Sequence, residues 1–235
     1  MQTGQICVCL AAAQQGLGHF SLRSITMPAM PNTNAASTTP PQILLASSSR
    51  YRRALLERLG LAFECASPDI DETPKPTESP ADLVRRLAAE KAAALASEFP
   101  AHLIIGSDQV ACCGNQILGK PGTTTRAREQ LGLLSGQRVE FLTGVALLNG
   151  RTGRLQVDLD TTTVSFRDLS AAEIDAYVAR EQPLDCAGSF KSEGLGVTLF
   201  HAIDNRDPSA LIGLPLIMLC EMLRTEAVDP LLQTA

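Results

Sequence analysis

Asp108 closes the apolar run Leu103-Ile104-Ile105-Gly106-Ser107, so a carboxylate is expected at the end of a buried strand, where open α/β sheets meet their ligands. Such a group can hold a divalent metal or take a proton from water. Glu72, in Asp69-Ile70-Asp71-Glu72, adds a second acid, and Lys120 adds a cation on the stiff Gly119-Lys120-Pro121 loop. Lys91 falls on the helical stripe formed by Val84, Leu87, Ala88 and Leu95, where a core residue is expected. A lysine there either snorkels to the surface or meets a phosphate or carboxylate at the mouth of a cleft. The run Leu45-Ala46-Ser47-Ser48-Ser49-Arg50-Tyr51-Arg52-Arg53 sets hydroxyls, helix-start amides and arginines at the end of another strand, the donors that a phosphate chain requires. Singly, each of these is also what a capped helix or a solvated loop provides. Two carboxylates and several cations converging on one cleft would suit metal-assisted hydrolysis of a phosphoanhydride.

These residues need a scaffold, and the hydrophobic pattern supplies one. Ile43 to Ala46 reads as a buried strand, followed by a serine turn and a helix through Leu55, Leu56 and Leu59 that Gly60 stops. Ser79-Pro80-Ala81-Asp82 opens a second helix with a serine cap and proline at the first helical position, running to about Phe99. Leu103 to Gly106 is a second buried strand, and Thr123 to Leu134 a third helix. Val139 to Leu148 reads as a strand that turns at Asn149-Gly150 into an antiparallel partner from Leu155 to about Phe166. Ser170-Ala171-Ala172-Glu173 has the capping-box pattern of a further helix, and Leu214 to Arg224 reads as the last. Parallel-type and hairpin-type strands together predict an α/β protein with a mixed central sheet flanked by helices.

With 235 residues, 45% hydrophobic and 19% charged, the chain can bury a core without staples. A net charge of -5 gives no long-range attraction for nucleic acid, so an anionic substrate needs locally placed cations. No apolar run reaches bilayer length, so no membrane partner is expected and the chain reads as cytoplasmic. The seven cysteines lack paired zinc-site spacing and read as reduced, mostly buried thiols, while His19, His102 and His201 are scattered. Residues 1–41, rich in proline, asparagine and threonine toward their end, read as a disordered extension before a domain over 42–235, with Met27 or Met30 as alternative starts.

Ile43-Leu44-Leu45-Ala46-Ser47-Ser48-Ser49, Asp71-Glu72-Thr73, Glu90-Lys91-Ala92, Gly106-Ser107-Asp108, Gly119-Lys120-Pro121 and Gly213-Leu214-Pro215 stand in the order and approximate spacing of the Maf family of nucleotide pyrophosphatases, which the chain resembles from about residue 43 to 225. The resemblance implies a two-lobed fold with a central cleft, like that of inosine triphosphatases, together with a divalent cation (Mg2+ or Mn2+). It further implies cleavage of a nucleoside triphosphate between the α and β phosphates, and a homodimer. Carried over by position, Asp108 matches the catalytic aspartate and a metal-handling position. Glu72 matches a metal-handling position, and Ser47, Arg52, Lys91 and Lys120 match positions that handle phosphate. Arg50 stands where the family usually has proline.

Tyr51, Gln109 and the run Cys186-Ala187-Gly188-Ser189-Phe190-Lys191-Ser192-Glu193-Gly194 resemble the branch acting on 7-methyl-GTP, in which Glu193 replaces a glutamine and the position of Tyr51 is aromatic, usually tryptophan. A 7-methylguanine ring is cationic, so an aromatic face attracts it and a carboxylate can pair with its N1-H and amino group. The expectation is therefore hydrolysis of 7-methyl-GTP to 7-methyl-GMP and pyrophosphate. Two other readings stand beside it: a dTTP/UTP pyrophosphatase of the same family, and a nucleotide-binding regulator of cell division.

Overall fold

The computed structural model of the protein describes residues 41–114 and 116–232. Of the extension expected over 1–41, residues 1–40, with Met27, Met30, Cys7, Cys9 and His19, lie outside the described residues. The elements run β1 (Gln42–Ala46), α1 (Arg50–Glu57), β2 (Phe63–Ala66), α2 (Pro80–Ala94), β3 (His102–Cys113), β4 (Gln116–Leu118), α3 (Thr124–Leu134), β5 (Arg138–Asn149), β6 (Leu155–Phe166), α4 (Ala171–Glu181), β7 (Phe200–Asp204) and α5 (Leu216–Thr225). All strands join one sheet in the order β2-β1-β3-β5-β6-β7, with β4 on the remaining edge of β3. The β2-β1-β3 pairings are parallel and the others antiparallel, so the expected mixed sheet flanked by helices is what forms. None of these helices is long and apolar enough to cross a membrane.

The helix starts follow their sequence signals. Ser49, Ser79, Thr123 and Ser170 each accept a hydrogen bond from a backbone N–H of the first turn, and Ser170 and Glu173 complete the capping box. Three strands escaped the hydrophobic pattern: β2, β4 and β7 are short and mostly exposed, so they carry little of the apolar signal that marks a strand.

β3 differs most from expectation, since it does not stop at Gly106 but continues to Cys113. Asp108 therefore lies inside a strand and not at its end. The long antiparallel partner β5 sustains β3 from Leu103 to Cys112. On its other edge β3 pairs with β1 only as far as Ile105, and with β4 only from Ala111. Asp108 sits in the interval between, just past the point where the parallel partner ends.

Apolar packing gathers at the two ends of the β3-β5 pair. Leu103, Ile105, Val145 and Leu147 pack with β1, α1 and α5, whereas Ala111, Val139 and Phe141 pack with α3, α4 and β6. These two clusters correspond to the expected lobes, carried by a single sheet. The opposite face is covered by α2, through Ala92 and Leu95 near Ile104 and through Leu83, Val84 and Leu87 near Val110. Each fully buried leucine contributes roughly 2 kcal/mol by transfer from water. α2 lies very close to the strands because Gly106 and Gly144 have no side chain. A Cβ at Gly106 would come within 2.0 Å of the Ala88 carbonyl oxygen, and one at Gly144 within 2.4 Å of that of Val84.

Candidate active site

This close approach sets the central contact of the site. Asp108, in register with Gly144, faces α2, and Lys91 projects from α2 to meet it. Lys91 Nζ donates to Asp108 Oδ1 at 2.6 Å and pairs with Glu72 Oε1 at 2.7 Å. Lys91 and Asp108 are 6% and 7% exposed, so the lysine does not snorkel. A buried ammonium is tolerable only with such partners. Glu72 reaches in from an exposed loop. Burial works to raise its pKa, but Lys91, then Lys120 and Arg52, outweigh it and hold the carboxyl below its ordinary 4.5.

The turn after β1 supplies the second group. Ser47 is buried, and its Oγ accepts from the Ser49 N–H at 3.1 Å and from Arg52 Nη1 at 3.5 Å. Arg52, in the first turn of α1, also donates from Nε to the Gly213 carbonyl at 2.9 Å. Burial pushes the guanidinium pKa down while Asp108 and Glu72 push it back up, and an arginine keeps its charge throughout.

Ser47, Arg52, Glu72, Lys91, Asp108 and Lys120 all line one cleft of about 800 Å³, and so do Tyr51, Gln109 and Glu193. The structure thus brings every sequence-predicted site residue to one cavity, although not into one contact network. Lys120 is exposed on its loop. Gln109 points its Nε2 away from Asp108, to Thr143 Oγ1 at 2.9 Å and to the carbonyls of Ala210 and Leu211 at 2.9 and 3.1 Å. Glu193 is exposed and accepts from the Ser192 hydroxyl at 3.3 Å.

Tyr51 has company that the sequence did not announce. The Arg50 guanidinium lies 4.8 Å from its ring centroid and donates to its hydroxyl at 2.7 Å. Asp185 completes the group, pairing with Arg50 at 3.8 Å and accepting from the Tyr51 hydroxyl at 3.5 Å. Burial, the largest influence, pushes the Tyr51 phenol up to about 12. Cys186, also in the cleft, is pushed by burial up to about 12, so its thiol stays protonated at neutral pH and is no nucleophile. The described cysteines are free thiols, and they are not mostly buried as expected: Cys112 is buried, Cys113, Cys186 and Cys220 are half-buried, and Cys65 is exposed.

The residues that sequence reasoning missed act mainly through the backbone. The Ser107 hydroxyl lies 2.8 and 2.9 Å from the carbonyls of Gly144 and Gly213 and shares its one proton between them, and Thr143 donates to that of Ala210. The loop carrying those last carbonyls begins at Asp207-Pro208-Ser209, a turn signal readable in the sequence as a turn but not as part of a site.

Residues 42–226 match the protein family described as Maf-like protein. The 7-methyl-GTP pyrophosphatase of Chromohalobacter salexigens is 60% identical to this chain over 190 residues, which span 81% of this chain and 98% of that protein. Among solved structures, that of the Staphylococcus aureus Ham1 protein matches 79% of this chain and 99% of its own at 14% identity, with a TM-score of 0.48.

Proposed function

Because the chain belongs to the Maf family, we propose that it hydrolyses 7-methyl-GTP at the α-β phosphoanhydride, yielding 7-methyl-GMP and pyrophosphate. The observation that carries this reading is the buried Lys91 bridging Asp108 and Glu72 in a cleft that also holds Ser47, Arg52 and Lys120. A fixed carboxylate surrounded by cations is the arrangement that hydrolysis of a polyanion needs.

Asp108, held through Oδ1 by Lys91, takes a proton from a water whose oxygen attacks the α phosphorus. The bond from that phosphorus to the bridging oxygen breaks, and pyrophosphate leaves with the bond's electron pair. Arg52 and Lys120 bind the phosphates, and the Ser47 hydroxyl donates to a phosphate oxygen. The donor set fits a divalent cation such as Mg2+ or Mn2+. Lys91 engages Oδ1 of Asp108 and Oε1 of Glu72, and these two carboxylates are the residues that would hold such an ion through hard oxygen donors. When bound, the ion neutralises charge growing on the phosphates. Among the described residues no histidine, cysteine or third carboxylate joins the pair.

The base is read by Tyr51, Glu193 and Gln109. The Tyr51 face already holds a planar cation, Arg50, which supports its use for a cationic 7-methylguanine ring. Glu193 offers a carboxylate to the N1-H and amino group. The test is pyrophosphate release from 7-methyl-GTP, GTP, dTTP and UTP, with and without Mg2+ or Mn2+, by wild type and Asp108→Asn. The expected result is metal-dependent preference for 7-methyl-GTP and a loss of about 10³-fold or more in the mutant. Equal turnover of GTP would overturn the specificity, and no release from any nucleotide would overturn the hydrolase reading.

A further inference from the structure

Helix α5 begins at Leu216 behind Pro215, which offers no side-chain cap. Its first N–H groups are satisfied from upstream: Leu216 donates to Ser209 Oγ at 2.9 Å, and Ile217 to Asp207 Oδ2 at 2.7 Å. The other oxygen, Asp207 Oδ1, accepts from the Ser209 N–H at 2.8 Å and from its hydroxyl at 2.5 Å. Asp207 is 3% exposed, and both its oxygens serve to tie the start of the 207–213 loop to the start of α5. A carboxylate here also sits at the positive end of the helix dipole.

The carbonyls of this closed loop are the ones that hold the cleft side chains. Those of Ala210 and Leu211 take Gln109 Nε2, that of Ala210 also takes the Thr143 hydroxyl, and that of Gly213 takes both Arg52 Nε and Ser107 Oγ at 2.9 Å. Gly213 adopts φ 124, a conformation costly for any other residue. With three oxygen acceptors around Nε2, the Gln109 amide has one orientation, since the flipped amide would set Oε1 against oxygen. Arg52, with Nε committed to Gly213, is left with its terminal nitrogens for Ser47 and a ligand. Asp207 itself does not line the cleft.

We propose that Asp207 is a positioning residue: it locks the 207–213 loop so that the loop's carbonyls aim Gln109 and Arg52 at the nucleotide. This rests on the reading that those two side chains bind substrate. Asp108 is held from the opposite face of the sheet by Lys91, so loosening the loop affects binding and leaves the proton transfer in place.

The test is Asp207→Asn, which is isosteric but sets an amide donor or a weakened acceptor against the Ile217 N–H. KM for 7-methyl-GTP should rise about tenfold with kcat within about twofold of wild type. Ser170→Ala, which removes the cap of α4 far along the chain, is the matched control. It should lower Tm comparably and leave KM unchanged. Ser209→Ala breaks only the Leu216 cap and one donor to Asp207, and should move KM in the same direction by less, which keeps the test open if Asp207→Asn does not fold. Gln109→Ala is then made in wild type and in the loop variant. Its effect on KM should shrink in the variant, because Gln109 is already misplaced there. Additive effects, or an equal rise of KM in Ser170→Ala, would overturn the positioning role. No effect of Gln109→Ala in wild type would instead overturn the reading of the nucleotide site, and the inference with it.

Discussion

Two groups of residues line the same cleft and are held in different ways. Lys91 and Asp108 are each less than a tenth exposed, face each other across the α2-sheet contact and depend on two glycines to reach one another. Arg50, Tyr51, Asp185 and Glu193 sit on the first turn of α1 and on loops, and the Arg50 and Asp185 side chains are 72% and 53% exposed. The buried group is part of the core, so its geometry is enforced by the free energy of folding. The second group is held at or near the surface, by the stacking and hydrogen bond of Arg50 on Tyr51, the Arg50-Asp185 pair and the Ser192-Glu193 contact, which solvent screens in part. On the proposed reading, chemistry and stability are therefore coupled in the first group, whereas specificity in the second can change almost without cost to the fold.

Lys91→Met tests that coupling and should have the largest effect. It leaves Asp108 buried without its counter-ion, a loss of about 3 kcal/mol by denaturant unfolding, and turnover falls with it. Adding Asp108→Asn removes the stranded charge. The double variant should recover most of the stability and none of the activity. If Lys91→Met unfolds at the wild-type denaturant concentration, the buried pair is not part of the core and the contrast fails.

How much of each group the sequence revealed follows the same division. Lys91 announced itself by standing on an apolar stripe, and α2 by its Ser79-Pro80 start, because burial and capping leave periodic signals. Asp108 was legible as a strand carboxylate, but its place inside β3 was not. What extends β3 past Gly106 is pairing with β5, a long-range contact that no local pattern encodes. The Arg50-Tyr51-Asp185 group was hidden because Asp185 meets α1 only in three dimensions. The carbonyls of Ala210, Leu211 and Gly213 were hidden for another reason: every residue carries one, so no side chain marks them.

Glu193→Gln probes the exposed group and should act in the opposite sense to Lys91→Met. Glu193 is exposed and, among the described residues, bonded to its neighbour Ser192, so its stability change should stay within about 0.5 kcal/mol. The ratio of kcat/KM for 7-methyl-GTP over GTP should fall about tenfold, the amount expected when a charged acceptor facing a cationic ring becomes neutral. A ratio that stays fixed would move recognition of the base to Tyr51 and Gln109.

The smallest effect is expected where the two groups meet, at Glu72, whose partner Lys91 is buried while its own side chain is 58% exposed. Its carboxyl is held below the ordinary 4.5, with burial opposing and Lys91 prevailing. A depressed carboxyl contributes stability that is fully present above 4.5 and lost as pH falls through its folded value. Glu72→Gln should therefore lower Tm slightly near neutrality, where that contribution is fully present, and flatten the fall of Tm below pH 4.5 as the two proteins converge. The exposure of Glu72 lets solvent screen much of the pair, so the flattening should be slight beside the loss in Lys91→Met. An acid limb unchanged by Glu72→Gln would mean that Asp108 alone balances the Lys91 charge, and that the loop carrying Glu72 belongs with the exposed, freely altered group.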